Sequence, residues 1–131
     1  MRHPRPAMIR FLHTRIRVRD LARSIAFYQI LGYIPGDSKT SPEGNSLAFL
    51  SLPGNDFFLE LCHSPDYPST CPEDLMHTAL GVPNIIEYCE KLEKAGIAIW
   101  PADWREKFAS GSRKMAFVTD PDGYEVEILE S

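Results

Sequence analysis

The chain repeats itself, and that repeat constrains its fold more than any other feature. Phe11-Leu12-His13-Thr14-Arg15-Ile16-Arg17-Val18 lines up with Leu75-Met76-His77-Thr78-Ala79-Leu80-Gly81-Val82 at an offset of 64. The same offset carries Leu21 to Ile85 and Gly32 to Gly96. Further on, Leu47-Ala48-Phe49-Leu50-Ser51 matches Met115-Ala116-Phe117-Val118-Thr119. A turn follows each time, and then Phe58-Leu59-Glu60-Leu61 matches Glu125-Val126-Glu127-Ile128. Here the offset is 67, from Glu60 to Glu127, so the halves differ by a few residues of insertion.

Each half reads strand, helix, then strands, an α+β pattern. Asp20 is a good N-cap for the first helix and Gly32 a good residue just past its end. Asn84 followed by Glu87 has the form of a capping box. Ile85, Cys89 and Leu92 then recur at helical spacing up to Gly96. Asp122-Gly123 is a hairpin turn signal. One further strand is expected between helix and hairpin in each half. The boundary falls in the Pro-rich stretch 64–72, giving repeats of about 8–66 and 73–131 within one domain, 8–131. Residues 1–7 read as a flexible N-terminal arm.

At 131 residues the chain is long enough for one domain with its own core. A net charge of −4 argues against a nucleic-acid partner. No apolar run reaches membrane-spanning length, and the Met1–Pro6 stretch has no signal-peptide apolar region. Cys62, Cys71 and Cys89 are odd in number and widely spaced. They fit neither a disulfide framework nor a CxxC site, and read as reduced thiols of a cytoplasmic protein.

Alternation along the strands sorts the side chains into faces. Thr14, Ile16 and Val18 form a core set, which leaves His13, Arg15 and Arg17 on the opposite face. Leu80 and Val82 likewise leave His77 facing away from the helices. Leu59 and Leu61 alternate with Phe58, Glu60 and Cys62, and Val126 and Ile128 alternate with Glu125, Glu127 and Leu129. Both histidines and both glutamates therefore share the face away from the helices. Phe58 and Leu129 make that face partly apolar, as in a lined cleft. A lone strand histidine or glutamate is usually structural or solvated. Here the same types recur at matched places in both halves, which points to a set of two histidines and two glutamates on one metal ion. Imidazole with carboxylate suits Ni, Co, Zn, Fe or Mn, and four protein ligands leave two octahedral positions open.

These residues carry a resemblance. His13-Thr14-x-x-Arg17-Val18-x-Asp20-Leu21-x-x-Ser24-Ile25-x-Phe27-Tyr28-x-x-Leu31-Gly32 and Asp120-Pro121-Asp122-Gly123-Tyr124-x-x-Glu127 resemble the glyoxalase I (lactoylglutathione lyase) family of the vicinal oxygen chelate superfamily. The likeness runs from Met8 to Glu130 and is weakest in 33–45 and 64–75. It implies two paired βαβββ modules forming a curved mixed sheet with a metal-binding cleft. The metal ligands it implies are His13, Glu60, His77 and Glu127, in the family's bacterial order His, Glu, His, Glu. Related epimerases typically carry Gln where Glu60 stands, extradiol dioxygenases use a different set, and bleomycin-binding relatives lack the ligands. A homodimer is implied, each site taking His13 and Glu60 from one subunit and His77 and Glu127 from the other. The short chain resembles the nickel- or cobalt-preferring class more than the zinc class.

The activity so implied isomerises the hemithioacetal of methylglyoxal and glutathione to S-lactoylglutathione through an enediolate. Glu127 is then the leading base, with Glu60 serving the opposite substrate face. Arg17 corresponds to an arginine that holds a glutathione carboxylate, and Arg113 stands where the family has a basic residue for the thiol's other end. Ser64 occupies the family's glutathione-contact position, which carries Asn in the bacterial enzymes, and is counted with Arg17 and Arg113 as substrate-binding. The loop 100–112 also departs from the family. Both departures leave another small thiol open. The rival readings are another metal-dependent isomerase or epimerase of the superfamily, and a non-catalytic small-molecule-binding protein.

Overall fold

The computed structural model describes residues 9–66 and 71–131. The proposed arm 1–7 lies outside the described residues, as does 67–70 of the stretch between the halves. The first half runs β1 (His13–Arg17), α1 (Leu21–Leu31), β2 (Ile34–Thr40), β3 (Ser46–Ser51) and β4 (Phe58–His63). The second runs β5 (His77–Val82), α2 (Ile85–Lys94), α3 (Trp104–Ala109), β6 (Met115–Thr119) and β7 (Glu125–Glu130).

The helices start where their caps require. The Asp20 side chain accepts from the Arg23 N–H at 3.1 Å, and Asn84 accepts from Glu87 N–H at the same distance. Each bond satisfies one of the donors that a helix N-terminus leaves unpaired. Gly32, at φ 121°, ends α1 in a conformation that a Cβ would strain. The inward stripe of α2 is Ile85, Cys89 and Leu92, all fully buried. Tyr28 and Leu31 of α1 enter the same core, with Ile16, Leu59, Leu61, Val118, Val126 and Ile128 from the strands.

The strands divide into two mixed sheets, ordered β1-β4-β3-β2 and β5-β7-β6. In each, the module's first and last strands pair in parallel, β1 with β4 and β5 with β7. The last strand also pairs antiparallel with its hairpin partner. Parallel pairing brings the first and last strands of a module side by side, although 47 residues separate His13 from Glu60.

The further strand expected in the second half is reduced to one bridge, between Trp100 and Phe117. Pro101 follows it and has no N–H with which to extend a ladder. The chain turns instead into α3, which buries Trp104 and Phe108 four residues apart on one face.

The modules are tied together through the turn after β6. Tyr28 Oη donates to Asp120 Oδ2 at 2.7 Å, and Ser24 Oγ donates to Asp122 Oδ2 at 3.2 Å. Asp120 Oδ1 accepts from the backbone N–H groups of Asp122 and Tyr124, which shapes the turn. Burial raises the Asp120 carboxyl and, far more strongly, the Tyr28 hydroxyl above their ordinary pKa values. Tyr124 Oη in turn accepts from the Arg17 N–H at 3.2 Å, so β1 is held against the second module. Among the described residues, no helix is long and apolar enough to cross a membrane.

Candidate metal and substrate site

The pairing register decides which side chains meet. His13 stands opposite Phe58 and Arg15 opposite Glu60 on β1 and β4. His77 stands opposite Glu125 and Ala79 opposite Glu127 on β5 and β7. Each histidine therefore lies one same-face step from its glutamate. His13 Nε2 is 2.9 Å from Glu60 Oε2, and His77 Nε2 is 3.4 Å from Glu127 Oε1. Alternation along the strands puts these four residues on the faces away from the helices, and their side chains meet there in pairs.

Each imidazole is braced in the same way. Phe49, opposite Glu60 in register, meets the His13 ring edge-on at 6.3 Å between centroids. Phe117, opposite Glu127, meets the His77 ring at 5.8 Å. The repeat thus extends to the aromatic residue that restricts each ring.

The two pairs lie on different sheets. Among the described residues, no group of three or more His, Cys, Asp or Glu side chains comes together. One chain therefore carries two separate pairs, each with one imidazole nitrogen and one carboxylate. The donor types fit a divalent transition ion, and a full four-donor set needs two half-sites brought together.

The carboxylates differ in their surroundings. Glu60 is 2% exposed. Its Oε1 accepts from Arg15 Nε at 2.7 Å and lies 2.6 Å from Arg15 NH2, leaving Oε2 to His13. Glu127 has Ala79 where Glu60 has Arg15, and its side chain is more open. No motif in the sequence singles out Arg15. The signal was present, because Arg15 shares the ligand face and the aligned position in the other repeat is an alanine.

Beside His13 lies a cleft of about 460 Å³ lined by Leu12, Gly36, Asp37, Lys39, Phe49 and Phe58. This is the apolar wall that Phe58 suggested. A second hollow, about 430 Å³, is lined by Arg17, Asn45 and Ser64 among others. There Arg17 NH1 donates to Ser64 Oγ at 2.7 Å, and Ser64 Oγ donates to Asn45 Oδ1 at 2.6 Å. Asn45 escaped the sequence reading because it meets Ser64 only through the β3–β4 register, in which its neighbour Ser46 pairs with His63.

Arg113 lies on the exposed stretch before β6 of the second module. It is not among the residues that line this hollow. His63 Nδ1 lies 3.1 Å from the Val18 carbonyl oxygen, an ordinary structural contact. The three cysteines are unpaired, and burial pushes the Cys89 thiol up to about 11, which leaves it protonated and inert near neutrality.

A family model described as the Glyoxalase/Bleomycin resistance protein/Dioxygenase superfamily matches residues 10–128. The chain belongs to that superfamily. Within it, the chain is 37% identical over 128 residues to a lactoylglutathione lyase of Salmonella typhimurium, covering 94% of this chain and 93% of that one. A lactoylglutathione lyase of Escherichia coli O157:H7 is 35% identical over 127 residues, covering 93% of each. Among solved structures, the trypanothione-dependent glyoxalase I of Leishmania major superposes with a TM-score of 0.76 at 36% identity. That match covers 94% of this chain and 87% of the other. The glyoxalase I resemblance read from the motifs is borne out by these relatives, as is the α+β fold.

Proposed function

We propose that the chain is a metal-dependent lactoylglutathione lyase, isomerising the hemithioacetal of methylglyoxal and glutathione to S-lactoylglutathione. The observation that carries this reading is the pair of equivalent half-sites, His13–Glu60 and His77–Glu127, at 2.9 and 3.4 Å on matching strands of two sheets. Two chains related by a twofold axis would join a first-module half-site to a second-module half-site twice over. The reading is therefore of a cytoplasmic homodimer with two sites between subunits. A divalent ion held by His13, Glu60, His77 and Glu127, nickel or cobalt before zinc, would supply Lewis acidity for charge developing on the two substrate oxygens.

The remaining chemistry belongs to the side chains. His13 and His77, braced by Phe49 and Phe117, hold fixed positions and move no proton. Glu127 removes the proton from one substrate carbon and returns it to the next, because among the described residues its carboxylate meets no arginine fork of the kind Arg15 gives Glu60. Glu60 serves chiefly as a ligand. The cleft lined by Phe49 and Phe58 takes the apolar end of the ketoaldehyde and keeps water from the reacting carbons. Arg17, with Ser64 and Asn45 beside it, receives a carboxylate of the thiol. Arg113 fits the reading only as a charge brought from the other subunit.

The test is a spectrophotometric glyoxalase assay on metal-stripped and reconstituted protein. Chelation is expected to abolish turnover, and Ni²⁺ or Co²⁺ to restore more than Zn²⁺. Full turnover by metal-free protein would overturn the assignment. Running the assay with glutathione and with other small thiols settles the co-substrate, which Ser64 in place of Asn leaves as the open specificity question.

Arg17→Ala is expected to raise KM for the hemithioacetal by about tenfold or more while leaving kcat within a few-fold. It removes a charge-assisted contact to a remote carboxylate and none to the reacting carbons. A fall in kcat at unchanged KM would move Arg17 from binding to chemistry.

A further inference from the structure

The two half-sites are built on the same plan but not with the same charge. Arg15 stands opposite Glu60 in the parallel register, and Ala79 stands opposite Glu127. The Arg15 guanidinium places Nε and NH2 on one oxygen, Oε1, of a carboxylate that is 2% exposed. Two donors at 2.6–2.7 Å on one oxygen make a strong, orientation-fixing contact. A guanidinium carries a delocalised positive charge across its planar fork.

From this asymmetry we infer that Arg15 is a resident cation that shares Glu60 with the metal, so that the site holds its divalent ion more loosely than the four ligands alone would and Glu60 is kept as a pinned, one-oxygen ligand. The inference rests on the metal reading given above and adds a determinant to it. Three consequences follow from the geometry. Oε1 is committed to Arg15, so only Oε2 faces His13. The Arg15 charge opposes any cation brought to Oε2, and because Glu60 is buried that opposition is only partly screened by solvent. Glu60, pinned by Arg15, is also less free to leave than Glu127. The division of labour between the two carboxylates is thus set by residues 15 and 79, in addition to the ligands themselves.

The experiment measures divalent-ion affinity directly, by competition against a chromophoric chelator with Ni²⁺, Co²⁺ and Zn²⁺, and needs no turnover. Arg15→Met removes the charge while keeping length and apolar bulk, and is expected to tighten binding by about tenfold or more, a modest share of the Coulomb term after screening. Arg15→Lys keeps the charge and should bind close to the wild type. The reciprocal change, Ala79→Arg, places a fork opposite Glu127 and should weaken binding by a similar factor. Ala79 is exposed on the single chain, so the larger side chain does not disturb that chain's own packing. Loss of a merely structural ion pair would leave affinity unchanged or lower it. Weaker or unaltered binding by Arg15→Met therefore overturns the inference alone, leaving the metal reading intact. No ion binding by wild type or variant overturns the metal reading and the inference with it.

Discussion

Glu127→Gln is expected to lower kcat by about 10⁴-fold, the upper end of what a positioned general base contributes, because one group carries both proton transfers. The glutamine keeps an oxygen that reaches the ion, so bound metal should fall only modestly. The amide has no useful basicity near neutral pH, so the transfers fail although the site is filled. Glu60→Gln makes the informative contrast. Glu60 is fixed between His13 and Arg15, and it should lose more metal and less turnover per occupied site. The comparison requires kcat, KM and bound metal for both variants, with kcat divided by occupancy. Near-normal kcat in metal-loaded Glu127→Gln would place the shuttle on the other carboxylate.

That contrast shows where the sequence was sufficient and where it was not. The repeat exposed His13, Glu60, His77 and Glu127 because the paired histidines and glutamates, the phenylalanines that brace them and the helix caps all fall at matched positions in two copies. Alternation on a strand then settles which face each occupies, since a period of two allows only two answers. The difference between the halves was harder to read. Arg15 and Ala79 break the repeat, and a broken position looks like ordinary drift until the parallel register sets one against Glu60 and the other against Glu127. Asn45 depends on hairpin register in the same way. The second half's missing strand has a different cause. Pro101 stops the ladder, and Trp104 and Phe108 repeat at helical spacing, so the signals for a bridge followed by a helix were present within a loop read only as divergent.

Whether a single chain can work follows from the same separation of half-sites, and subunit mixing tests it. His13→Ala removes a ligand from the first-module half-site, and His77→Ala removes one from the second. Each homodimer then has a lesion in every site, and neither should turn over at a useful rate. In a mixed dimer with shared sites, one site collects both lesions and the other is intact. Random association of equal amounts makes about half of the dimers mixed, each with one of two sites working, so co-refolding should restore about a quarter of wild-type activity. Metal content should recover in parallel, one ion per mixed dimer, and that readout does not depend on the substrate chosen. Sites built within single chains predict no recovery at all, because every chain carries its own lesion. Mixed dimers shown to form by a tag on one subunit, yet inactive and metal-free, would exclude the shared site.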